Sequence, residues 1–273
     1  MTATRRTRAV AIDLDDTLIS AYRRPDLAWR RVCQLYQTEL GDLAPDHAAR
    51  ALTEAGRAFW SDPESHAIGR GAPRQARRII AAKAFEALRR DGCATPSPEI
   101  AERLADAFSL HRDRQMRLEP GADAVLVHLR DAGYRLALLT NGAGPLQRAK
   151  IERFGLASHF HHIQIEGEVG VGKPDPAAFR RMFAALAVEP AEVCVVGDSL
   201  VWDIRPAMAL GCFTILYDPE AGEAVGRGSG DAHVVVRTLA SLATHLPGAA
   251  RPPGASDRAG LRPPGADNAH GGG

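Results

Sequence analysis

Two carboxylates, Asp13 and Asp15, stand two residues apart directly after the apolar run AVAI. Groups this close repel one another, and with a third such as Asp198 nearby they would not all stay ionised unless a cation joined them. An all-oxygen donor set suits Mg²⁺, which keeps several waters and commonly binds through carboxylates together with a substrate phosphate. A carboxylate held in such a place can attack phosphorus and form an acyl phosphate, replacing one difficult displacement by two easier ones. A second carboxyl two residues on can protonate the leaving alkoxide and then take a proton from the attacking water. Charge on the non-bridging oxygens needs fixed donors, and Thr140 in LLTNG and Lys173 in VGVGKPDP are of the right type.

Lys173 first reads as part of a nucleotide-binding loop, because Gly167-x-x-x-x-Gly172-Lys173 lacks only the last residue of that motif. That loop needs Ser or Thr after the lysine to place a hydroxyl on Mg²⁺; here Pro174 follows. Lysine is scarce in this chain. Of 34 basic residues only Lys83, Lys150 and Lys173 are lysine, so one of three sits in a Gly/Pro-rich turn, where a compact point charge differs from a planar fork.

The elements that would position these groups follow from periodicity. Short runs rich in Val, Ile and Leu predict strands at Ala9–Ile12, Tyr134–Leu139, Ile163–Ile165, Val193–Val196 and Phe213–Leu216, with a weaker one at Ala232–Val236. Apolar on alternating positions of both kinds, they read as strands buried on both faces of a parallel sheet. Helical spacing appears at Ala122–Ala132, Leu146–Phe154, Asp175–Leu186 and Asp203–Leu210, and Gly133, Gly155 and Gly211 supply helix stops. Strand and helix in alternation predict an α/β fold with a doubly wound parallel sheet. In such sheets ligands bind beyond the carboxyl ends of the strands. Asp13 and Asp15, Thr140 and Asn141, Lys173, and Asp198 to Asp203 all follow predicted strands, so they converge on one composite site.

Residues 19–117 break the rhythm. No strand is evident there, and LAWRRVCQLY and RRIIAAKAFEAL repeat apolar residues at helical spacing, which predicts an inserted all-helical cap. The core is then residues 9–18 with 118–246. Residues 247–273 are almost entirely Pro, Gly, Ala and small polar residues, a composition predicted to be disordered.

Composition removes other classes of function. A formal net charge of +1 offers no global field to nucleic acid or an acidic membrane surface. No apolar run approaches the ~20 residues of a membrane span, and MTATRRTR runs straight into AVAI without a signal-peptide core; a cytoplasmic location is expected. The cysteines Cys33, Cys93, Cys194 and Cys212 lack metal-ligand spacing and read as reduced thiols. The histidines His159, His161 and His162 lack the spacing of zinc sites and read as surface groups. In the insertion, Arg70, Arg74, Arg77 and Arg78 are either a solvated face or a contact for an anionic substrate, and Phe59-Trp60 either cap core or a pocket wall.

DLDDTL, LLTNG, the Lys-Pro of VGKPDP and VVGDSLVWD, in that order, resemble the four motifs of the haloacid dehalogenase (HAD) superfamily of Mg²⁺-dependent phosphohydrolases, over about Ala9 to Ile215. The resemblance implies Asp13 as nucleophile and Asp15 as general acid/base. It implies phosphoryl binding by Thr140 and the Asn141 amide, and Lys173 holding nucleophile and phosphate together. It implies Mg²⁺ held by Asp13, the Asp15 carbonyl and Asp198, with Asp203 acting through the metal's water shell. The insertion is similar to the family's substrate-selecting cap, where Arg70 and Arg74 are the candidate leaving-group contacts. Asp15 argues against dehalogenation, since a halide leaves without a proton. The expected activity is hydrolysis of a small phosphorylated metabolite (a nucleotide, sugar, sugar-acid or glycolate phosphate). A phosphomutase of the same fold and a catalytically silent binding protein remain as alternatives. No feature of the sequence specifies an oligomeric state.

Overall fold

The computed structural model describes residues 6–221, 226–227 and 230–247. The run AVAI becomes β1, Ala9–Ile12, with all four residues buried. The chain then forms β2, Ile19–Ser20, and five helices: α1 Pro25–Leu35, α2 Pro45–Ser61, α3 Pro63–Gly71, α4 Pro73–Arg90 and α5 Pro98–Gln115. Each opens on a proline, whose missing N–H falls where a helix has no acceptor to offer it. The return strand β3, Arg117–Leu118, pairs antiparallel with β2, setting Ile19 opposite Leu118.

The rest alternates: α6 Ala122–Asp131, β4 Arg135–Thr140, α7 Gly144–Arg153, β5 His162–Ile165, the short α8 Glu166–Val169, α9 Pro176–Leu186 and β6 Val193–Gly197. After these come α10 Arg205–Ala209, β7 Phe213–Tyr217, β8 Gly226–Arg227, β9 Val234–Val236 and α11 Leu242–His245. The main sheet runs β5-β4-β1-β6-β7-β9-β8, parallel except for the β8–β9 pair. This is the α/β, doubly wound architecture with an inserted all-helical cap that the patterning predicts. No described helix is long and apolar enough to cross a membrane.

Alternation along the strands sorts two cores. Val10, Ile12, Leu136, Leu138, Cys194 and Val196 face Leu126 and Leu129 of α6 and Leu242 of α11. Ala9, Ala11, Ala137, Leu139, Val193 and Val195 face Phe179, Met182 and Phe183 of α9. The five inserted helices have an apolar cluster of their own, including Leu52, Ile80, Phe85 and Leu104, with Trp29 stacked on Phe108 at 3.8 Å between centroids.

A polar network fastens the two ends of the insertion. Asp16 has φ of 60°, a left-handed conformation that aspartate tolerates better than most residues. Its Oδ1 accepts N–H bonds from Ala21 and Tyr22 at 2.8 Å and from Arg23 at 3.2 Å. Arg23 donates to the Asp16 carbonyl and to Glu119 at 2.7 Å. Tyr217 donates its hydroxyl proton to the other Glu119 oxygen at 2.7 Å. Strand β7, both linkers and the turn after β1 therefore share one network of buried and partly buried hydrogen bonds.

Two predicted elements shift. The helix expected over Asp203–Leu210 starts as a π-helical turn, Leu200–Ile204, before α10. Ser199 accepts the Trp202 N–H, and Asp203 is turned inward toward Lys173. The weak strand expected over Ala232–Val236 is ladder-paired only from Val234. Pro247 accepts a backbone hydrogen bond from Thr7; the remainder of the tail expected to be disordered lies outside the described residues.

Candidate active site

Lys173 sits at the centre of the site. Its Nζ lies 2.5 Å from Asp13 Oδ1 and 2.6 Å from Asp203 Oδ1, with 4% of its side chain exposed. The lysine-bearing loop is held by Asn141, whose Oδ1 accepts the Lys173 N–H at 2.8 Å while its Nδ2 donates to the Lys173 carbonyl at 2.6 Å. The Asn141 side chain is thereby committed to the loop. Asp175 then accepts the Ala177 N–H and caps α9, with Pro176 as its first residue. The peptide joining Lys173 to Pro174 is cis.

Glycines set the close approaches. A Cβ on Gly197 would lie 2.3 Å from Asp203 Cγ, and one on Gly172 2.7 Å from Asn141 Oδ1. Side chains at these two places would displace the carboxylate and the amide that hold Lys173.

Asp13, Asp198 and Asp203 each present an oxygen within 4.8 Å of the others. Burial pushes the Asp13 carboxyl up to about 7; Lys173 opposes this, and Asp203 and Asp15 add repulsion. Asp198 faces solvent in the cleft, yet desolvation and the charges of Asp13, Asp203 and Asp16 push it up to about 8. Burial works against the Lys173 ammonium, but Asp13 and Asp203 outweigh it and hold its pKa above the ordinary lysine value. One lysine among three carboxylates leaves excess negative charge, and these oxygen donors fit a hard divalent cation.

Asp15 points to the other side of the cleft. Lys150 Nζ lies 2.7 Å from its Oδ1 and 2.8 Å from its Oδ2, and 3.2 Å from the Tyr22 hydroxyl. Gln147 Nε2 donates to Asp15 Oδ2 at 2.9 Å and to Thr140 Oγ1 at 2.7 Å. Burial penalises the Lys150 ammonium, while Asp15 and Tyr22 raise its pKa by more. Sequence reasoning missed Lys150 and Gln147. They are one helical turn apart on α7, which begins just after the Thr140 strand end, and that spacing was the available signal.

These groups open into one cavity of about 900 Å³ between core and cap, lined by Asp13, Asp15, Thr140, Lys173 and Asp198 below and by Trp60, Arg70 and Arg74 above. Phe59 is buried in the cap core and Trp60 forms part of the wall. Arg74 is exposed within the cleft. Arg70 reaches down to the core: Nη2 is 3.1 Å from Glu166 Oε1, Nη1 is 3.4 Å from the Lys173 carbonyl, and the guanidinium lies 5.0 Å from the Trp202 ring centroid. His66 stacks on the same Trp202 ring at 4.4 Å. The histidines outside the site are separately engaged. His159 pairs with Asp123, His161 Nδ1 accepts the Leu136 N–H, and His162 meets Gln164.

The sequence profile of the haloacid dehalogenase-like hydrolases matches residues 7–211. This chain belongs to that family. It is 30% identical over 213 residues to a glyceraldehyde 3-phosphate phosphatase of Methanopyrus kandleri, spanning 76% of this chain and 82% of that one. It is 46% identical over 132 residues to a phosphoserine phosphatase of Thermus thermophilus, spanning 47% of this chain and 53% of that protein; the chain thus matches about half the length of that relative. Among solved structures, the HAD-hydrolase YfnB from Bacillus subtilis, bound to magnesium, superposes with a TM-score of 0.62 at 20% identity over 88% of this chain and 99% of that one. The chain thus shares the fold of a HAD hydrolase, and several of its relatives carry the name of phosphatases.

Proposed function

We propose that this HAD-family chain is a Mg²⁺-dependent phosphomonoesterase that hydrolyses a small organic phosphate through an aspartyl-phosphate at Asp13. The observation that carries the reading is the division of labour between two carboxylates two residues apart. Asp13 lies against Lys173 beside Asp198 and Asp203, while Asp15 turns away to Lys150 and Gln147. A nucleophile and a proton carrier need different surroundings, and these two have them.

In this reading Asp13 attacks phosphorus and the ester P–O bond breaks. The alkoxide takes a proton from Asp15. Asp15, now ionised, takes a proton from water, which attacks the acyl phosphate and returns Asp13 with release of phosphate. Thr140, the Asn141 backbone amide and Lys173 hold the non-bridging oxygens. Asp13, Asp198 and the Asp15 carbonyl would hold Mg²⁺, with Asp203 supporting it through water; the ion, when bound, offsets charge on carboxylates and phosphoryl oxygens. The cap closes the cleft against bulk water, and Arg70, joined to Glu166 and the Lys173 carbonyl, fastens it.

The relatives named for phosphoserine, glyceraldehyde 3-phosphate and phosphoglycolate support a small monophosphate as substrate. The test is phosphate release from p-nitrophenyl phosphate and a panel of metabolite monophosphates, with Mg²⁺ and with EDTA. Turnover in Mg²⁺ that EDTA abolishes is expected. Full turnover in EDTA, or an isomerised sugar phosphate in place of free phosphate, would contradict the reading.

A further inference from the structure

Arg77, on α4, lines the cavity with only 7% of its surface exposed. Its guanidinium lies 5.9 Å from the ring centroid of Tyr22 and 5.6 Å from that of Phe108. Among the described residues it has these ring contacts and no hydrogen-bond or ion-pair partner. Its neighbours differ. Arg78, one residue on, is exposed and pairs with Asp106 at 2.5 Å and Glu102 at 3.2 Å. Arg112 donates to the carbonyls of Ala21 and Arg23, and Arg153 to those of Asp113 and Met116. Arg77 therefore keeps a permanent charge and a planar set of N–H donors, with no oxygen acceptor, at the wall of a substrate cavity.

Its position defines what could reach it. The Tyr22 ring that lies beneath Arg77 also has Lys150 Nζ 5.1 Å from its centroid, and Lys150 holds Asp15. One tyrosine ring thus lies close both to Arg77 and to the lysine that holds Asp15. The surrounding charge agrees, because the insertion lines the cavity with Arg57, Arg70, Arg74, Arg77 and Arg112 against a single carboxylate, Asp113, among the described residues.

We infer that the alcohol part of the ester hydrolysed here carries a second anion, a carboxylate or a phosphate, and that Arg77 receives it. The inference rests on the phosphatase reading and narrows its substrate class. Planar carboxylates and phosphates match a guanidinium in two parallel hydrogen bonds, a fit that a neutral hydroxyl cannot reproduce.

The test compares kcat/KM for matched esters on the full-length enzyme with Mg²⁺. Phosphoglycolate is set against ethyl phosphate, and 3-phosphoglycerate against glycerol 3-phosphate. Propane-1,3-diol bisphosphate is set against its monophosphate, which separates a phosphate from a carboxylate as the preferred anion. The wild type is expected to favour at least one anion-bearing class by about tenfold or more, the usual worth of a hydrogen bond to a charged group. Arg77→Met brings that ratio close to one, and Arg77→Lys keeps part of it. A wild-type ratio near one in all pairs would overturn the inference whether or not the variants fold. So would an Arg77→Met enzyme that loses activity equally on both members of a pair. Hydrolysis of p-nitrophenyl phosphate by the same wild-type preparation keeps the two readings apart. Its absence together with inactivity on every ester sinks the phosphatase reading, whereas its presence without an anion preference sinks only this inference.

Discussion

Lys150 holds Asp15 by both carboxylate oxygens, at 2.7 and 2.8 Å, as Lys173 holds Asp13 at 2.5 Å. Two of the three lysines in a chain with 34 basic residues are thus assigned to the two carboxylates of one Asp-Leu-Asp turn. Ammonium groups can approach a crowded carboxylate from a single direction and leave its other edge to the cleft, which a guanidinium fork does less readily.

Lys150→Met should therefore weaken the use of Asp15 as a proton donor more than the attack of Asp13. An alkyl phosphate needs its leaving oxygen protonated, and p-nitrophenolate does not. The expected loss in kcat is about tenfold or more for an alkyl ester, within the ~10²–10⁴ range that positioned acid–base groups supply, and several times smaller for p-nitrophenyl phosphate. Lys150→Arg should restore part of the difference. Equal losses on the two esters would make Lys150 a residue of general stability.

Metal should alter stability in a pH-dependent way. The carboxyls of Asp13 and Asp198 are raised to about 7 and about 8, above their ordinary value of 3.8. The metal-free fold therefore binds more protons at these groups than the unfolded chain does, and their contribution to stability falls as pH rises from about 4 to about 8. Mg²⁺ competes for the ionised carboxylates, so its stabilising effect should grow over the same interval. Thermal melts at pH 5.5 and 8, with Mg²⁺ and with EDTA, are expected to show a larger rise in Tm at pH 8. In Asp198→Asn the metal response should shrink at both values. A rise that is larger at pH 5.5 would contradict these assignments.

Much of the site could be read directly because strand ends in an α/β sheet are local features. Asp13 and Asp198 directly follow β1 and β6, and Thr140 ends β4, so their convergence needed only the strands and a parallel sheet. Lys173 belongs to the same class, with a longer loop before it. What was not legible depends on side chains meeting across the chain. Nothing in DLDDTL marks Asp16 as an anchor, yet it secures the insertion by accepting three backbone N–H groups. Glu119 and Tyr217 meet across 98 positions. Arg70 and Arg77 looked alike in a basic run; only packing shows that one is tied to Glu166 and the other has no oxygen partner among the described residues. The π-helical turn before α10 was also hidden, because it follows from Asp203 being drawn inward to Lys173.

Asp16→Ala should be costly, because it strips the acceptor from the N–H groups of Ala21, Tyr22 and Arg23 where the chain enters the cap. Unsatisfied buried donors cost about 1–3 kcal/mol each before relaxation, so a net loss of roughly 2–4 kcal/mol is expected in urea unfolding. Asp16→Asn keeps an oxygen acceptor and tolerates the positive φ, and should lose less than half as much. Equal losses for the two variants would show that charge, and not the shared acceptor, matters at this turn.

The central claim is that the Asp13 carboxylate forms a covalent bond to phosphorus. Replacement of one oxygen by an amide nitrogen leaves shape and volume nearly unchanged while removing the nucleophile. The most direct measurement is steady-state turnover of p-nitrophenyl phosphate in Mg²⁺ by freshly prepared Asp13→Asn protein whose melting temperature stays close to that of the wild type. The expected rate is below about one thousandth of wild type, as for enzymes stripped of a covalent nucleophile. Retention of more than a few per cent of wild-type kcat by that folded protein would contradict the account.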